Sequence, residues 1–271
     1  MSDQPAQATY IHGHHDSVLR SHSWRTAENS AAYLLPHLEE GMRLLDVGCG
    51  SGTITMDFAR RVPLALAVGV DVAEPVLDGA RKEAEAQGVD VRFGVADVKR
   101  LPFPEATFDI VHTHQLLQHV PDPVAALREM ARVCKPGGII AARDSDYSAM
   151  TWYPADSDLD DWLDLYQRIA RAAGGEPNAG RHLLAWAHAA GLADVTASAS
   201  AWCFATRTDR AWWGETWAER VTNSEFARQA VDGGHADREE LVRLANAWRR
   251  WAGQDDAWFA VLHGEILCRK G

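Results

Sequence analysis

Two apolar patterns alternate along the chain from Gly41 to Arg143. Arg43–Val47, Ala65–Val70 and Ile139–Arg143 are nearly continuous apolar runs, as expected of strands covered on both faces. Val89–Val95 and Phe108–Thr113 are two further strand candidates. Between the runs the period changes. Ile54, Phe58 and Val62 recur four apart, and Val124, Leu127, Ala131 and Cys134 recur at three and four, which predicts helices. Asp122 followed by Pro123 is a helix start, and Pro136-Gly137-Gly138 is a stop. Strand–helix alternation predicts an α/β fold with a doubly wound, mainly parallel sheet.

The flanking regions are patterned differently. Thr9 to Leu38 is rich in histidine and is expected to end in a helix, capped by Thr26, with Ala31, Ala32, Leu35 and Leu38 on its apolar side. Residues 151 to 175 read as an insertion. It opens with Trp152-Tyr153-Pro154, becomes an amphipathic helix through Leu159, Trp162, Leu163, Tyr166 and Ile169, and stops at Gly174-Gly175. A helix over Ala179–Ala190 then leads to a sixth strand near Val195–Thr206. Residues 208 to 253 form a second helical insertion. In its last helix Asp237 and Glu240 have capping-box spacing, ahead of a stripe of Leu241, Leu244, Ala245, Trp248 and Trp251. Trp258–Leu267 closes the pattern as a seventh strand.

Composition narrows the function. A chain of 271 residues suits one large domain or a core with a cap. A net charge of −11 and the lack of any Lys/Arg run argue against a nucleic-acid partner. Cys49, Cys134, Cys203 and Cys268 form no Cys-x-x-Cys pair, so free thiols in a reducing, cytoplasmic setting are expected. Met1–Gln7 lacks the apolar segment of a signal peptide, and no apolar run is long enough for a membrane span. Of the eleven tryptophans only Trp24 precedes residue 150. They either fill core between helices or line an apolar substrate chamber.

The chemistry concentrates where strands end. Leu44 to Thr53 reads as a buried strand that runs into Gly48, Gly50 and Gly52. Glycines let backbone approach a ligand closely. A dinucleotide loop spaces them Gly-x-Gly-x-x-Gly and seats a pyrophosphate. Here the third glycine comes one residue early, and Asp46 stands two positions before the first. That carboxylate would repel a diphosphate but welcome the ammonium of an amino-acid-bearing nucleoside. Asp71 ends the second strand about twenty residues on, where an acid accepts hydrogen bonds from a ribose diol. It could equally cap the helix that follows. Val72 could lie on a purine face. Asp97 leaves the third strand, where it could accept from an exocyclic amino group or serve only as a turn residue.

LLDVGCGSGTIT at 44–55, VGVDVAEPVLDGAR at 68–81, GVADVKRLPFPEATFDIVHTHQLLQHVPDP at 94–123 and VCKPGGII at 133–140 together resemble the class I S-adenosyl-L-methionine (SAM)-dependent methyltransferases. Within these they are similar to the small-molecule branch of ubiquinone and menaquinone biosynthesis. The resemblance implies a seven-stranded Rossmann-like methyltransferase sheet with helical cap insertions. It divides the chain into an N-terminal arm over the cofactor (1–40), a SAM-binding core (41–150), a first lid (151–180), a core helix and strand (181–206), a second helical insertion (207–256) and a closing strand (257–271). It also implies residue roles. Gly48, Cys49, Gly50 and Gly52 would pass under the methionyl part of SAM, and Asp46 would face its ammonium. Asp71 would hold the ribose, Val72 the purine face, and Ala96, Asp97 and Val98 the adenine edge. His114 and Gln115 would lie beside the methionyl chain, and His119 would pack on the glycine loop.

Methyl transfer asks little of side chains, so the acceptor is harder to read. The sulfonium is already a good leaving group, and a base is needed only where the acceptor must lose a proton. In this branch an N-terminal segment often folds over SAM. Tyr10 and His14 would then touch its methionyl end, with His14 a candidate catalytic group, and Arg25 would meet its carboxylate. The cluster His12, His14 and His15 lacks a completing ligand pattern, so no metal site is expected. Ligands in such sheets sit beyond the carboxyl ends of the strands. Asp144, Asp146 and Tyr147 are therefore candidates to bind or deprotonate an acceptor, beneath a wall of Trp152, Trp213 and Trp217. The expected activity is O-, C- or N-methylation of a small apolar or aromatic metabolite by a protein that could form a homodimer. A SAM-pocket protein without methylating activity, such as a cyclase or a binding module, is the alternative.

Overall fold

The computed structural model describes residues 24–63 and 66–271. Its strands are β1 (Leu44–Val47), β2 (Ala67–Asp71), β3 (Arg92–Val95), β4 (Phe108–His114), β5 (Cys134–Ser145), β6 (Thr151–Tyr153), β7 (Asp194–Phe204) and β8 (Trp258–Arg269). They form one sheet in which β3, β2, β1, β4 and β5 are neighbours in that order and parallel. β8 is antiparallel to β5, pairing Ile139–Ser145 with Arg269–His263. β7 pairs with β8 from Asp194↔Arg269 to Phe204↔Phe259 and so occupies its whole other edge. β6 pairs with Ala260–Trp258, end to end with β5.

The expected seven-stranded sheet is thus present with β6 as a short eighth strand. Two differences from the sequence reading have local causes. Pro136-Gly137-Gly138 lies within β5 instead of ending the preceding helix, which stops at Val133. The register jumps from Phe108↔Cys134 to Ile110↔Ile139, and Gly137 at φ +78° lets the backbone absorb the extra residues. The second difference is the helix after Thr26, which runs only from Ala27 to Ser30. Thr26 and Asn29 form a reciprocal capping box, but Pro36 allows only a 3₁₀ turn, Leu35–His37, further on. Ala27, Ala31 and Leu34 still pack against Leu44, Ile54 and Phe58 under the sheet.

The helices after β5 build the roof. Ser157–Ala172, Arg207–Asn223, Glu225–Asp232 and Arg238–Ala252 are capped by Asp156, Thr206, Ser224 and Asp237, whose side chains accept from backbone amides of the first turn. Their apolar faces close on one another through tryptophan. Trp162 lies edge-on to Trp217 at 4.5 Å and to Trp248 at 4.7 Å, and Trp248 meets Phe259 of β8 at 5.3 Å. Trp162, Trp217, Trp248 and Trp251 are fully buried, so these four help to fill the core between the helices. The helix Ala179–Ala189 sits tightly on the sheet. A Cβ on Gly264 would fall 2.0 Å from the Gly180 carbonyl oxygen, so neither glycine has room for a side chain.

Candidate active site

One pocket, of about 270 Å3, opens beyond the carboxyl ends of β1, β2, β4 and β5 and reaches under the tryptophan roof. On the β1–β3 side its wall is backbone and carboxylate. Gly48, Gly50 and Gly52 have φ of +72°, +52° and +73°, a conformation that favours glycine. The loop is pinned to β2, where Val70 O accepts from Gly48 N at 2.8 Å and from Cys49 N at 3.0 Å. Gly48, Cys49 and Gly50 line the pocket. Gly52 does not. It starts the helix Thr53–Arg61, and a Cβ there would strike the Phe93 ring at 2.5 Å.

Asp46 is 3% exposed and already engaged. One oxygen lies 2.8 Å from His112 Nδ1, and the other accepts from Thr55 Oγ1 at 2.5 Å. Asp71 accepts from Gly50 N and Ala73 N, both at 3.0 Å, so it braces the glycine loop and the turn before the helix Glu74–Ala86, which has no side-chain cap. Each of its oxygens keeps a second lone pair for a ligand. Asp97 is exposed on the rim and accepts from Lys99 N at 2.9 Å, while Val98 is buried behind it. Val72 stands open at 68% exposure, and Ala96 completes this wall.

The end of β4 is held by residues from across the chain. Gln115 has φ +52°, strained for a residue with a side chain. Its amide nitrogen donates to Arg143 O at 2.7 Å. Its Oε1 accepts from Arg25 Nη2 at 2.7 Å, and its Nε2 lies 2.9 Å from His263 Nε2. Burial holds His263 neutral, so Nε2 accepts from Gln115 and Nδ1–H donates to Val261 O at 3.1 Å. His114, on the pocket wall, is 5% exposed, and neither ring nitrogen has a hydrogen-bond partner among the described residues. Burial, with the charges of Arg25 and Arg143, keeps it well below the usual histidine range and hence neutral. His119 also lines the pocket; burial pulls it down to about 3, and its Nε2 lies 3.0 Å from Gln118 Nε2. A Cβ on Gly48 would meet the Leu116 side chain at 3.1 Å.

The candidates after β5 separate. Tyr147 lines the pocket and stacks on Tyr166 at 3.8 Å, and burial raises its phenol above the usual range. Asp144 lies behind the wall. It is wholly buried, accepts from Gln118 N at 3.1 Å, and is pushed up to about 7 by burial. Asp146 is taken by Arg181 in a two-point ion pair at 2.5 and 2.7 Å. Trp213 and Trp217 line the roof, but Trp152 stacks on Phe259 outside it. Tyr10, His12, His14 and His15 lie outside the described residues.

Sequence reasoning missed Trp24, Ser145, Met150, Trp202 and Arg220, all on the pocket wall. Arg220 Cζ stands 4.6 Å over the Trp217 ring. Its spacing from Trp213 and Trp217 along one helix is the signal that could have found it. Trp24 and Trp202 meet at 5.2 Å from opposite ends of the chain and left no local signal.

A glycine loop after β1, an acid after β2 and an open pocket under a helical lid define a class I methyltransferase, and known proteins agree. Residues 38–219 match the methyltransferase domain family, to which the chain belongs. An uncharacterized methyltransferase of Schizosaccharomyces pombe is 37% identical over 280 residues, covering 100% of this chain and 99% of its own. A demethylmenaquinone methyltransferase of Thermus thermophilus is 43% identical over 96 residues, 35% of this chain and 44% of its own. The YcgJ protein of Bacillus subtilis shares the fold with a TM-score of 0.58 and 22% identity, over 90% of this chain and 99% of its own.

Proposed function

We propose that this chain transfers a methyl group from SAM to a small apolar or aromatic metabolite, leaving S-adenosyl-L-homocysteine (SAH). The observation that carries the reading is one pocket with two unlike walls: carboxylates and bare backbone on the β1–β3 side, tryptophan and tyrosine under the lid. The first wall fits an adenosyl amino acid. Asp71 would take the ribose hydroxyls, Val72 and Val98 the purine, and Asp97 with Ala96 the adenine edge. Gly48, Cys49 and Gly50 would let the methionyl chain lie on backbone, with Gln115 beside it, Asp46 toward its ammonium and Arg25 toward its carboxylate. Gly52 serves by shaping the loop. Bound there, SAM supplies a methyl group on a positively charged sulfur.

The protein's part is positioning and exclusion of water. Trp213, Trp217 and Tyr147 present an apolar, stackable surface on the acceptor side, which favours a flat or greasy molecule over a nucleic acid. The four free cysteines support a cytoplasmic setting, and no described helix is long and apolar enough to cross a membrane. Calorimetry with SAH and NADH, followed by transfer from methyl-labelled SAM, tests the assignment. Binding of SAH with saturable label transfer is expected. Binding of NADH alone would refute it, and SAH binding without transfer to any small molecule would favour the non-methylating alternative.

A further inference from the structure

The acid at the end of β1 is clamped from behind by a residue that the pocket wall does not include. Asp46 and His112 stand opposite each other in the parallel pairing of β1 with β4. His112 Nδ1 lies 2.8 Å from Asp46 Oδ1, and a carboxylate can only accept, so Nδ1–H donates. From the helix Thr53–Arg61, Thr55 Oγ1 donates to Asp46 Oδ2 at 2.5 Å. Phe58 of the same helix stands edge-on to the imidazole at 4.9 Å.

This pair lies in an apolar layer. Strand alternation puts Asp46 on the face of Leu44 and His112 on the face of Ile110, which pack together with Ile54 and Phe58. His112 is fully buried, and its Nε2 has no hydrogen-bond partner among the described residues. An imidazole with one nitrogen unmet costs free energy that a pair of apolar side chains would not. Stability therefore does not account for a histidine here. The pair's product is a carboxylate held at the pocket: Asp46 lines it, whereas His112 and Thr55 do not. Each clamp takes one lone pair, so each oxygen of Asp46 keeps one for a ligand.

Resting on the methyltransferase reading, we propose that His112 is a positioning residue for the methyl donor. It fixes the Asp46 carboxylate toward the ammonium of SAM and so sets the pocket's selectivity for the amino-acid end of the cofactor. Two donors on two different elements fix the plane of the carboxyl group. With the His112 donor gone, Thr55 alone holds it, and the carboxyl group can turn about its bond to the backbone. A carboxylate turned away loses its charge-assisted bond to the ammonium. The adenosine half of the ligand is assigned to Asp71, Val72 and Asp97, which lie at the ends of β2 and β3 and do not depend on this clamp. The expected consequence is a pocket that still takes the nucleoside but no longer distinguishes the amino group.

The probes are SAH and its deaminated analogue, in which a hydroxyl replaces the ammonium, titrated calorimetrically into the full chain. Wild type is expected to prefer SAH at least about tenfold, the worth of one hydrogen bond to a charged group. His112→Phe and His112→Leu, two replacements without a donor, should lose that preference through weaker SAH binding, while affinity for the analogue stays within about threefold. His112→Asn offers an amide N–H near the place of Nδ1–H and should restore most of the preference. In wild type the ¹⁵Nδ1 resonance of His112 should shift more with SAH than with the analogue, a readout that needs no variant to fold. Equal losses for the two ligands, a preference kept by the donorless variants, His112→Asn behaving as His112→Phe, or equal resonance shifts would each overturn the proposal. A wild type that fails to bind SAH, or binds it no better than the analogue, would instead overturn the parent reading of the pocket.

Discussion

The two walls of the pocket are built in opposite ways. The cofactor side comes from short, contiguous stretches, each a strand end and its following turn. Its polar groups are bonded mostly at shorter range: Asp71 to Gly50 across 21 residues and to Ala73, Asp97 to Lys99, Asp46 to Thr55, with Asp46 to His112 across 66 as the exception. The acceptor side is assembled from distant pieces. Trp24 meets Trp202 at 5.2 Å across most of the chain, and Tyr147 shares the wall with Trp213 and Trp217 from a separate element. Local construction ties a wall to a motif, and so to a ligand shared by many proteins. Long-range construction leaves the other wall free to vary with the acceptor. A change on one wall should therefore act on donor affinity, and a change on the other on stability or turnover.

The largest effect is expected in the roof. Trp162→Ala removes a fully buried ring that touches Trp217 and Trp248. It should cost about 3–5 kcal/mol of unfolding free energy by urea titration. If SAH affinity also collapsed under conditions where the variant remains folded, the separation of the two walls would be wrong. Asp71→Ala comes next. Two charge-assisted bonds to the ribose are worth about 1.5–3 kcal/mol each, so calorimetry should show SAH affinity falling at least about 100-fold. An unchanged affinity would mean that Asp71 only braces the loop.

Asp144→Asn probes the layer beneath both walls. Burial raises the Asp144 carboxyl from 3.8 to about 7, so the folded chain holds a proton that the unfolded chain gives up. Its contribution is present below about pH 4 and is lost as pH rises through about 7. The Asn variant should accordingly show a flatter Tm between pH 4 and 7 in thermal scans. Parallel profiles would show that Asp144 is already ionised in the fold. The smallest effect is expected from Tyr147→Phe, which keeps the stack on Tyr166 and removes only a hydroxyl. SAH affinity should hold within about twofold while turnover changes if that hydroxyl meets the acceptor.

The same division explains what could be read from the sequence. β1, β2 and the core of β5 announce themselves as apolar runs because both faces of the sheet are covered, and the glycine loop is contiguous. The acids Asp46, Asp71 and Asp97 follow from position at strand ends. Hidden from the sequence were partners that only the fold brings together. Trp24 meets Trp202, Arg181 claims Asp146, and β6 exists only because the end of β8 offers it an edge. Asp144 looked like an acceptor-facing acid because it ends a strand, but its side chain turns to the Gln118 amide behind the wall.

The most direct test is the placement of SAH in a crystal structure of the complex. The account predicts the ribose on Asp71, the adenine between Val72 and Val98, and the sulfur directed toward His114, Tyr147 and the Trp217 roof. SAH lying with its adenine among the tryptophans, or its sulfur turned away from them, would contradict the division of the pocket into donor and acceptor walls.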